Sequence, residues 1–421
     1  MKIGILTYHC VPNFGAQLQT LSTVCYLRNA GHEPIVLNWY PQDLEDMYKL
    51  RISSEQMVMQ YDFAQKIFPI SKLCRTEGEL VAEILKLQLD AIVVGSDALF
   101  KYVPWKLRHY LRMGKYKPRV INKKVPSVEK LHSNPFFGGI LNKISPSIPA
   151  IVYASSSQNC PYQIMTFFEK MRMGKALNNY QFISVRDEWT RDMIKSITHR
   201  QNVPIFPDPV FAFNQNVGNN IPSKDEIMGK YNLKAPYVLL SFWLEYCSDK
   251  YIASLAKSIE EKGLLPVGLA MPEGVTHVNI KKVITTPLSP IDWYALIKYS
   301  AGYIGERMHP IVVSLHNSVP CFSFDEYGVF PDPNMIYPKV KSQGKESSKI
   351  YHILHQAGFD KKNWYSYLYS NNDLPTPQDV VDAILSFDKK RCADFADSQL
   401  AIYNRGMETA LEYLRNVHNI H

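Results

Sequence analysis

Short apolar runs, each followed by a polar loop and a helix-length stretch, recur along this chain in two successive series. The first run, residues 3–7, is apolar almost throughout, as a central parallel strand covered by helices on both faces requires. A loop over 8–15 leads into a helix over 16–29 carrying Leu18, Leu21, Val24, Cys25 and Leu27, and Gly31 ends it before a strand at 35–37. That is a βαβ unit, whose crossover is right-handed. A helix at 77–89 and a strand at 91–94 continue the alternation, followed by strands at 151–154, 182–185 and 205–206 and a helix near 163–177. The second series has strands at 237–241, 265–269, 282–284, 302–304 and 321–323, with helices at 250–262, 290–299 and 309–317. The expected fold is α/β, with two Rossmann-like lobes facing each other across a cleft. Residues 1–213 form the first lobe, 214–234 a polar linker, 235–392 the second lobe, and 393–421 a C-terminal piece dominated by one long amphipathic helix.

At 421 residues and 46% hydrophobic content, each lobe can bury its own core. The first apolar run is too short for a signal peptide, and no stretch reaches the ~18 apolar residues of a membrane span. Seven scattered cysteines without a Cys-x-x-Cys pair fit reduced thiols in a cytoplasm and speak against a zinc site or disulfide frame. The net charge of +8 is unevenly placed: residues 101–149 hold eleven Lys or Arg against Glu129 alone, while the remainder is slightly acidic. A concentrated basic insert of this kind predicts an anionic partner.

Chemistry is expected in loops at the carboxyl ends of strands. Four segments sit there. Asn13, Gly15 and Gln17 open the first helix, where free backbone N–H groups hold anions or hydroxyls. Ser96 and Asp97 follow the 91–94 strand; Asp97 can accept from sugar hydroxyls, or simply cap the next helix. Arg186 ends the 182–185 strand and is shaped to grip a carboxylate or phosphate, the bland alternative being a salt bridge to Asp187 or Glu188. Arg307, Met308 and His309 follow the 302–304 strand, with Pro310 in the first turn of the next helix. There a cation, free N–H groups and an imidazole meet at a positive helix end. Asp208, between two prolines, reads as a turn former, and His316 as a helix-surface or core residue. Gly-x-Ser-x-Gly, His-Glu-x-x-His and Walker patterns are missing from the sequence.

Taken in order, these segments resemble the polysaccharide pyruvyl transferase family. The likeness rests on Asn13-Phe14-Gly15-Ala16-Gln17-Leu18-Gln19, Ile92-Val93-Val94-Gly95-Ser96-Asp97 and Tyr153-Ala154-Ser155-Ser156. It continues through Ile183-Ser184-Val185-Arg186, Phe206-Pro207-Asp208-Pro209 and Gly305-Glu306-Arg307-Met308-His309. The resemblance implies a GT-B-like fold and transfer of a pyruvyl group from phosphoenolpyruvate, a co-substrate, onto two hydroxyls of a sugar as a ketal. It needs no metal or other cofactor. Arg186, Arg307, Met308 and His309 would bind the donor, with His309 as general acid and both arginines holding charge; Asn13, Gly15, Gln17, Ser96 and Asp97 would face the acceptor. Acceptors in such a family are cell-surface sugars, including those carried on undecaprenyl diphosphate at the inner membrane face. Trp105, Leu107, Tyr110, Leu111 and Met113, interleaved with Lys106, Arg108, Arg112 and Lys115, would then touch anionic lipid or clamp the acceptor diphosphate, the bland alternative being a solvated loop. Nucleic acid is not an expected partner. Two rival readings are a nucleotide-sugar glycosyltransferase of the same fold and a non-catalytic sugar- or membrane-binding module; the module predicts that Arg307 and His309 do not face a cleft.

Overall fold

The computed structural model describes residues 1–113, 117–125, 127–131, 133–144, 147–242, 247–275, 279–326, 344–370 and 373–418. Thirteen strands are described: β1 (Lys2–Leu6), β2 (Glu33–Val36), β3 (Ala91–Val94), β4 (His109–Met113), β5 (Pro118–Asn122), β6 (Ala150–Ser155), β7 (Phe182–Val185), β8 (Tyr237–Ser241), β9 (Leu265–Leu269), β10 (Lys282–Ile284), β11 (Gly302–Gly305), β12 (Cys321–Asp325) and β13 (Trp364–Ser366). In the first lobe the helices are α1 (Phe14–Asn29), α2 (Gln42–Lys49), α3 (Ser54–Ile67), α4 (Glu77–Leu87), α5 (Trp105–Arg108), α6 (Phe167–Leu177) and α7 (Glu188–Thr198). Then come α8 (Phe213–Val217), α9 (Lys224–Lys230), α10 (Asp249–Glu260), α11 (Pro290–Lys298), α12 (Met308–His316), α13 (Lys349–Ala357), α14 (Pro377–Leu385) and α15 (Lys389–His418).

Two parallel sheets result, ordered β2-β1-β3-β6-β7 and β10-β9-β8-β11-β12-β13. Each is a doubly wound order, and each reverses direction once: between β1 and β3 in the first lobe, between β8 and β11 in the second. A crevice opens at such a reversal because neighbouring crossovers leave to opposite faces, and ligands bind there. The two reversals lie on either side of one cleft, whose walls carry residues after β1, β3 and β11. The α/β architecture of two Rossmann-like lobes with a long C-terminal helix is therefore present.

Helix α1 departs from an ordinary surface helix: Gln17, Gln19, Thr20, Ser22 and Thr23 are buried along with Leu18, Leu21 and Val24. A helix covered all round must pair its polar side chains internally. Thr20 Oγ1 donates to the Ala16 carbonyl at 2.9 Å and Ser22 Oγ to the Pro209 carbonyl at 2.7 Å. α1 thus sits between the lobes, with the Phe14 ring tilted against Trp293 of α11, centroids 5.2 Å apart. One buried cluster runs from Ile3 and Leu18 through Phe211 to Ile311 and Leu411, so the lobes share a core.

Residues 214–234, expected as a polar linker, carry most of α8 and all of α9, with Val217 and Ile227 inside the shared core. The C-terminal helix starts four residues earlier than the expected 393 and packs back across the first lobe. Tyr413 stacks on Phe182 at 4.8 Å and Tyr403 meets Tyr153 edge-on at 5.8 Å. Gly406 is required there, since a Cβ would lie 2.8 Å from the Phe206 ring. The basic insert contains the antiparallel β4–β5 hairpin; Lys115, within it, lies outside the described residues.

Candidate active site

The cleft encloses about 390 Å³. From the first lobe, Asn13 caps α1, its Oδ1 accepting from Ala16 N at 3.2 Å, and so sets the first turn of α1 at the cleft floor. Gly15 follows in that turn. From the second lobe, β11 ends at Gly305 and α12 begins at Met308, placing Arg307 and His309 at the opposite wall. The two walls meet at Gly15 and His309. A Cβ on Gly15 would lie 2.5 Å from His309 Cδ2 and closer still to Cγ and Nδ1, so the imidazole rests on the bare Gly15 Cα.

Asp97 stands beside this contact at the end of the β3 loop, with φ of 115°, a strained conformation for a non-glycine residue. The strain is held by local bonds: Ala98 N donates to Asp97 Oδ1 at 2.6 Å, and Ser156 N to the Asp97 carbonyl at 2.8 Å. No helix begins at Asp97, so it does not serve as the helix cap that the sequence left open.

The expected residues divide. Asn13, Gly15, Asp97, Arg307, Met308 and His309 line the cleft. Gln17 and Ser96 do not: Gln17 Nε2 donates to the Gln60 carbonyl at 2.9 Å and Ser96 Oγ to the Ala154 carbonyl at 2.7 Å, both bonds internal to the lobe. Arg186 is buried behind the cleft, 3% exposed, and pairs with Asp208 at 2.6 Å rather than with Asp187 or Glu188. Its Nε and Nη2 meet no hydrogen-bond partner among the described residues, and the side chain lines a separate cavity of about 130 Å³ that also touches Met308.

Asp208 does more than shape a turn. Its Oδ1 accepts from Val210 N at 3.0 Å, while Oδ2 accepts from Gln19 Nε2 and Arg186 Nη1 and lies 3.8 Å from His309 Nε2. Carboxylate, guanidinium and imidazole from three chain segments are thus joined, and only the Pro-Asp-Pro sequence hinted that this aspartate is fixed.

The sequence also left unassigned several residues that line the cleft. Tyr48 and Arg51 come from the end of α2 and the turn after it, and Lys349 is the first residue of α13. Lys101, Glu129 and Lys130 belong to the basic insert. The insert's charge is therefore split between the cleft wall and the exposed hairpin. Tyr8 hydroxyl donates to Glu129, and Lys101 Nζ lies 5.7 Å from the Tyr8 ring centre. Arg307 approaches Glu273 at 3.5 Å and Glu326 at 4.0 Å.

Burial sets the protonation states. It pushes the His309 imidazole down to about 4, against the opposing pull of Asp208 and Asp97, so the ring is neutral at pH 7. Burial alone would raise Asp97, but the combined charges of His309, Arg186, Lys349 and Lys101 outweigh it and hold the carboxyl below its usual range. Burial, reinforced by Arg186, brings the Lys349 ammonium down to about 7, although Asp97 and Asp187 favour its charged form. The wall thus carries Arg51, Lys101, Lys130, Arg307 and Lys349 against Asp97, Glu129 and Glu273. Cations outnumber carboxylates on this wall, a balance that favours negative charge in the cleft.

Among solved structures, the chain is similar to the spinosyn forosaminyltransferase SpnP, at 12% identity and a TM-score of 0.48 over 98% of this chain and 99% of that one. It is similar to the UDP-GlcNAc 2-epimerase from Methanocaldococcus jannaschii at 10% identity and 0.48, over 95% and 93%. For UGT89C1 from Arabidopsis thaliana the values are 12% and 0.48, over 99% and 98%. No curated protein matches the sequence. Among the described residues no helix is long and apolar enough to cross a membrane. The polysaccharide pyruvyl transferase family model matches residues 13–326, which run from the Asn13 cap through Asp97, Asp208 and His309, and the chain belongs to that family.

Proposed function

We propose that this protein moves the pyruvyl group of phosphoenolpyruvate onto two hydroxyls of one sugar, forming a ketal. The observation that carries the reading is the meeting of Arg307 and His309 with Gly15 and Asp97 in one cation-rich cleft. Facing that cleft is also what a non-catalytic module would not need.

The donor carries a carboxylate and a phosphate, which Arg307 orients. Arg186, one step behind, acts through Asp208 and the Met308–His309 segment. The neutral His309 of the unliganded site gains its proton when donor charge enters and raises the imidazole. Protonated, it delivers that proton to the methylene carbon while a sugar hydroxyl adds at C2 and passes its own proton to Asp97, which returns it to His309 at the end of the cycle. The C2–O bond to phosphate then breaks, and the second hydroxyl closes the ketal, its proton leaving with phosphate. Asp97, held ionised, accepts from the sugar hydroxyls.

The acceptor side extends to the insert. Trp105 is half exposed and Phe168 is 68% exposed; both line a groove with Arg108 and Arg172, and Phe167 lies beside them. Cations around exposed aromatics fit an anionic membrane face, where a lipid-diphosphate-linked sugar would present its diphosphate to Lys101 and Lys130.

A thermal-shift comparison of phosphoenolpyruvate with nucleotide sugars tests the donor: selective stabilisation by phosphoenolpyruvate is expected. Stabilisation by a nucleotide sugar alone would turn the reading to glycosyl transfer. His309→Ala should lose turnover while retaining most donor binding.

A further inference from the structure

Glu129 is the only acid of the basic insert, and it is 3% exposed with its side chain on the cleft wall. Carboxylates are almost never this buried unless paired. Among the described residues the Tyr8 hydroxyl is the one donor to this carboxylate, at Oε2, which leaves Oε1 on the cleft wall without a donor. The place of Glu129 is built rather than incidental. Ser127 Oγ accepts from Glu129 N at 3.3 Å and donates to Asp43 Oδ1 of α2 at 3.1 Å, and Val128 N donates to Asp43 Oδ2 at 2.7 Å. Phe136 holds the Tyr8 ring edge-on at 5.0 Å. The insert is thereby tied to α2 and to the loop after β1, and it brings its one carboxylate into the cleft that also holds Asp97. Burial, together with the charges of Glu129 and Asp97, raises the Tyr8 and Tyr48 hydroxyls well above the usual phenol range, so both carboxylates lie within electrostatic reach of the same two tyrosines.

A ketal engages two hydroxyls of one sugar, and both must be held in line with the same carbon. Asp97 receives the proton of the first. We propose that Glu129 Oε1 accepts a hydrogen bond from the second, so that Asp97 and Glu129 together select which pair of hydroxyls is bridged. Glu129 orients that hydroxyl and keeps no proton, since the proton leaves with phosphate. The assignment rests on the ketal reading above, and it gives the acceptor a chemical class at this point: a neutral sugar diol. In that reading the cations of the wall are matched to the donor and to the acceptor diphosphate. A carboxyl group on the sugar ring itself would be set against two carboxylates, and like-charge contacts select against such a sugar.

A glycan array that pairs neutral hexosides and N-acetylhexosaminides with the matching uronides, read with the full chain with and without phosphoenolpyruvate, tests it. The wild type should bind neutral members at least about tenfold more tightly than their uronides. Glu129→Gln keeps the shape of the side chain and an oxygen for the Tyr8 hydroxyl, but it presents amide N–H groups in place of a charged acceptor. It should weaken the neutral members by at least about tenfold and narrow their lead over the uronides, while phosphoenolpyruvate binds no more weakly than to the wild type. If the glutamine variant does not fold, the wild-type preference still decides. A wild type that binds no sugar or does not prefer neutral ones overturns the assignment. So does a glutamine variant with unchanged sugar binding, or one that loses phosphoenolpyruvate in equal measure. Glu129-dependent sugar binding by a chain that does not bind phosphoenolpyruvate sinks the donor reading and leaves Glu129 as a sugar ligand.

Discussion

Gly15→Ala probes the contact on which the cleft is closed. A methyl group there would lie 2.5 Å from His309 Cδ2 and nearer to Cγ and Nδ1, where ordinary carbon contacts are ~3.5–4.0 Å. The ring must therefore retreat by about 1 Å or more, and it is walled by Asp208, Met308 and the cleft floor. Two effects oppose each other in stability. Alanine favours a helix over glycine by up to ~1 kcal/mol, and overpacking a buried contact costs about 1–3 kcal/mol. The net expectation is a loss of about 1–2 kcal/mol in chemical denaturation. Activity should fall more steeply, because a 1 Å misplacement of a reacting group costs on the order of 100-fold. In a His309→Ala background the clash is gone, so the same Gly15→Ala change should be neutral or stabilising by up to ~1 kcal/mol. The double-mutant cycle should thus show a coupling of about 1–3 kcal/mol. A Gly15→Ala enzyme with wild-type turnover, or equal stability effects in both backgrounds, would refute the placement of the imidazole on Gly15.

Other outcomes follow from the same geometry. Asp208→Asn strips the buried Arg186 of its charge partner and should cost about 3–5 kcal/mol in denaturant titration, while moving the alkaline limb of the pH–rate profile, set by loss of the His309 proton, to lower pH. Because the folded His309 titrates near 4 and a free imidazole near 6.5, the unfolded chain binds more protons in that window. Stability should therefore fall as pH drops from 6.5 to 4, by about 3 kcal/mol from this residue, and His309→Ala should flatten the slope. Lys349 has the same sign higher up: its folded value of about 7 against 10.5 means stability is lost as pH falls from 10.5 to 7. Lys349→Met removes that dependence and should raise stability at pH 7 by a few kcal/mol; no gain would mean that partners already offset the burial. Trp105→Ala with Phe168→Ser should reduce co-sedimentation with anionic vesicles and leave neutral vesicles unaffected; binding indifferent to lipid charge would contradict the membrane proposal.

What the sequence determined by itself is the order of strands and the loops after them. Residues 91–94 and 237–241 are apolar on both faces, and a buried parallel strand has no other way to look. The Gly305 to His309 turn was legible for the same reason, since strand end and helix start are local events that a strand, a glycine and Pro310 announce in sequence. What only the tertiary structure decided is which side chains meet. Asp97 lies in the cleft while its neighbour Ser96 turns inward to the Ala154 carbonyl, a choice set by backbone geometry rather than residue type. Arg186 lies behind the cleft because Asp208, 22 residues later, holds it there. Lys349 enters from a segment with no strand motif of its own, through Ser348 and the carboxylate of Asp325. Gly15 and His309, nearly 300 residues apart, carry no mutual signal in one sequence; their contact exists because two switch points face each other across a shared core.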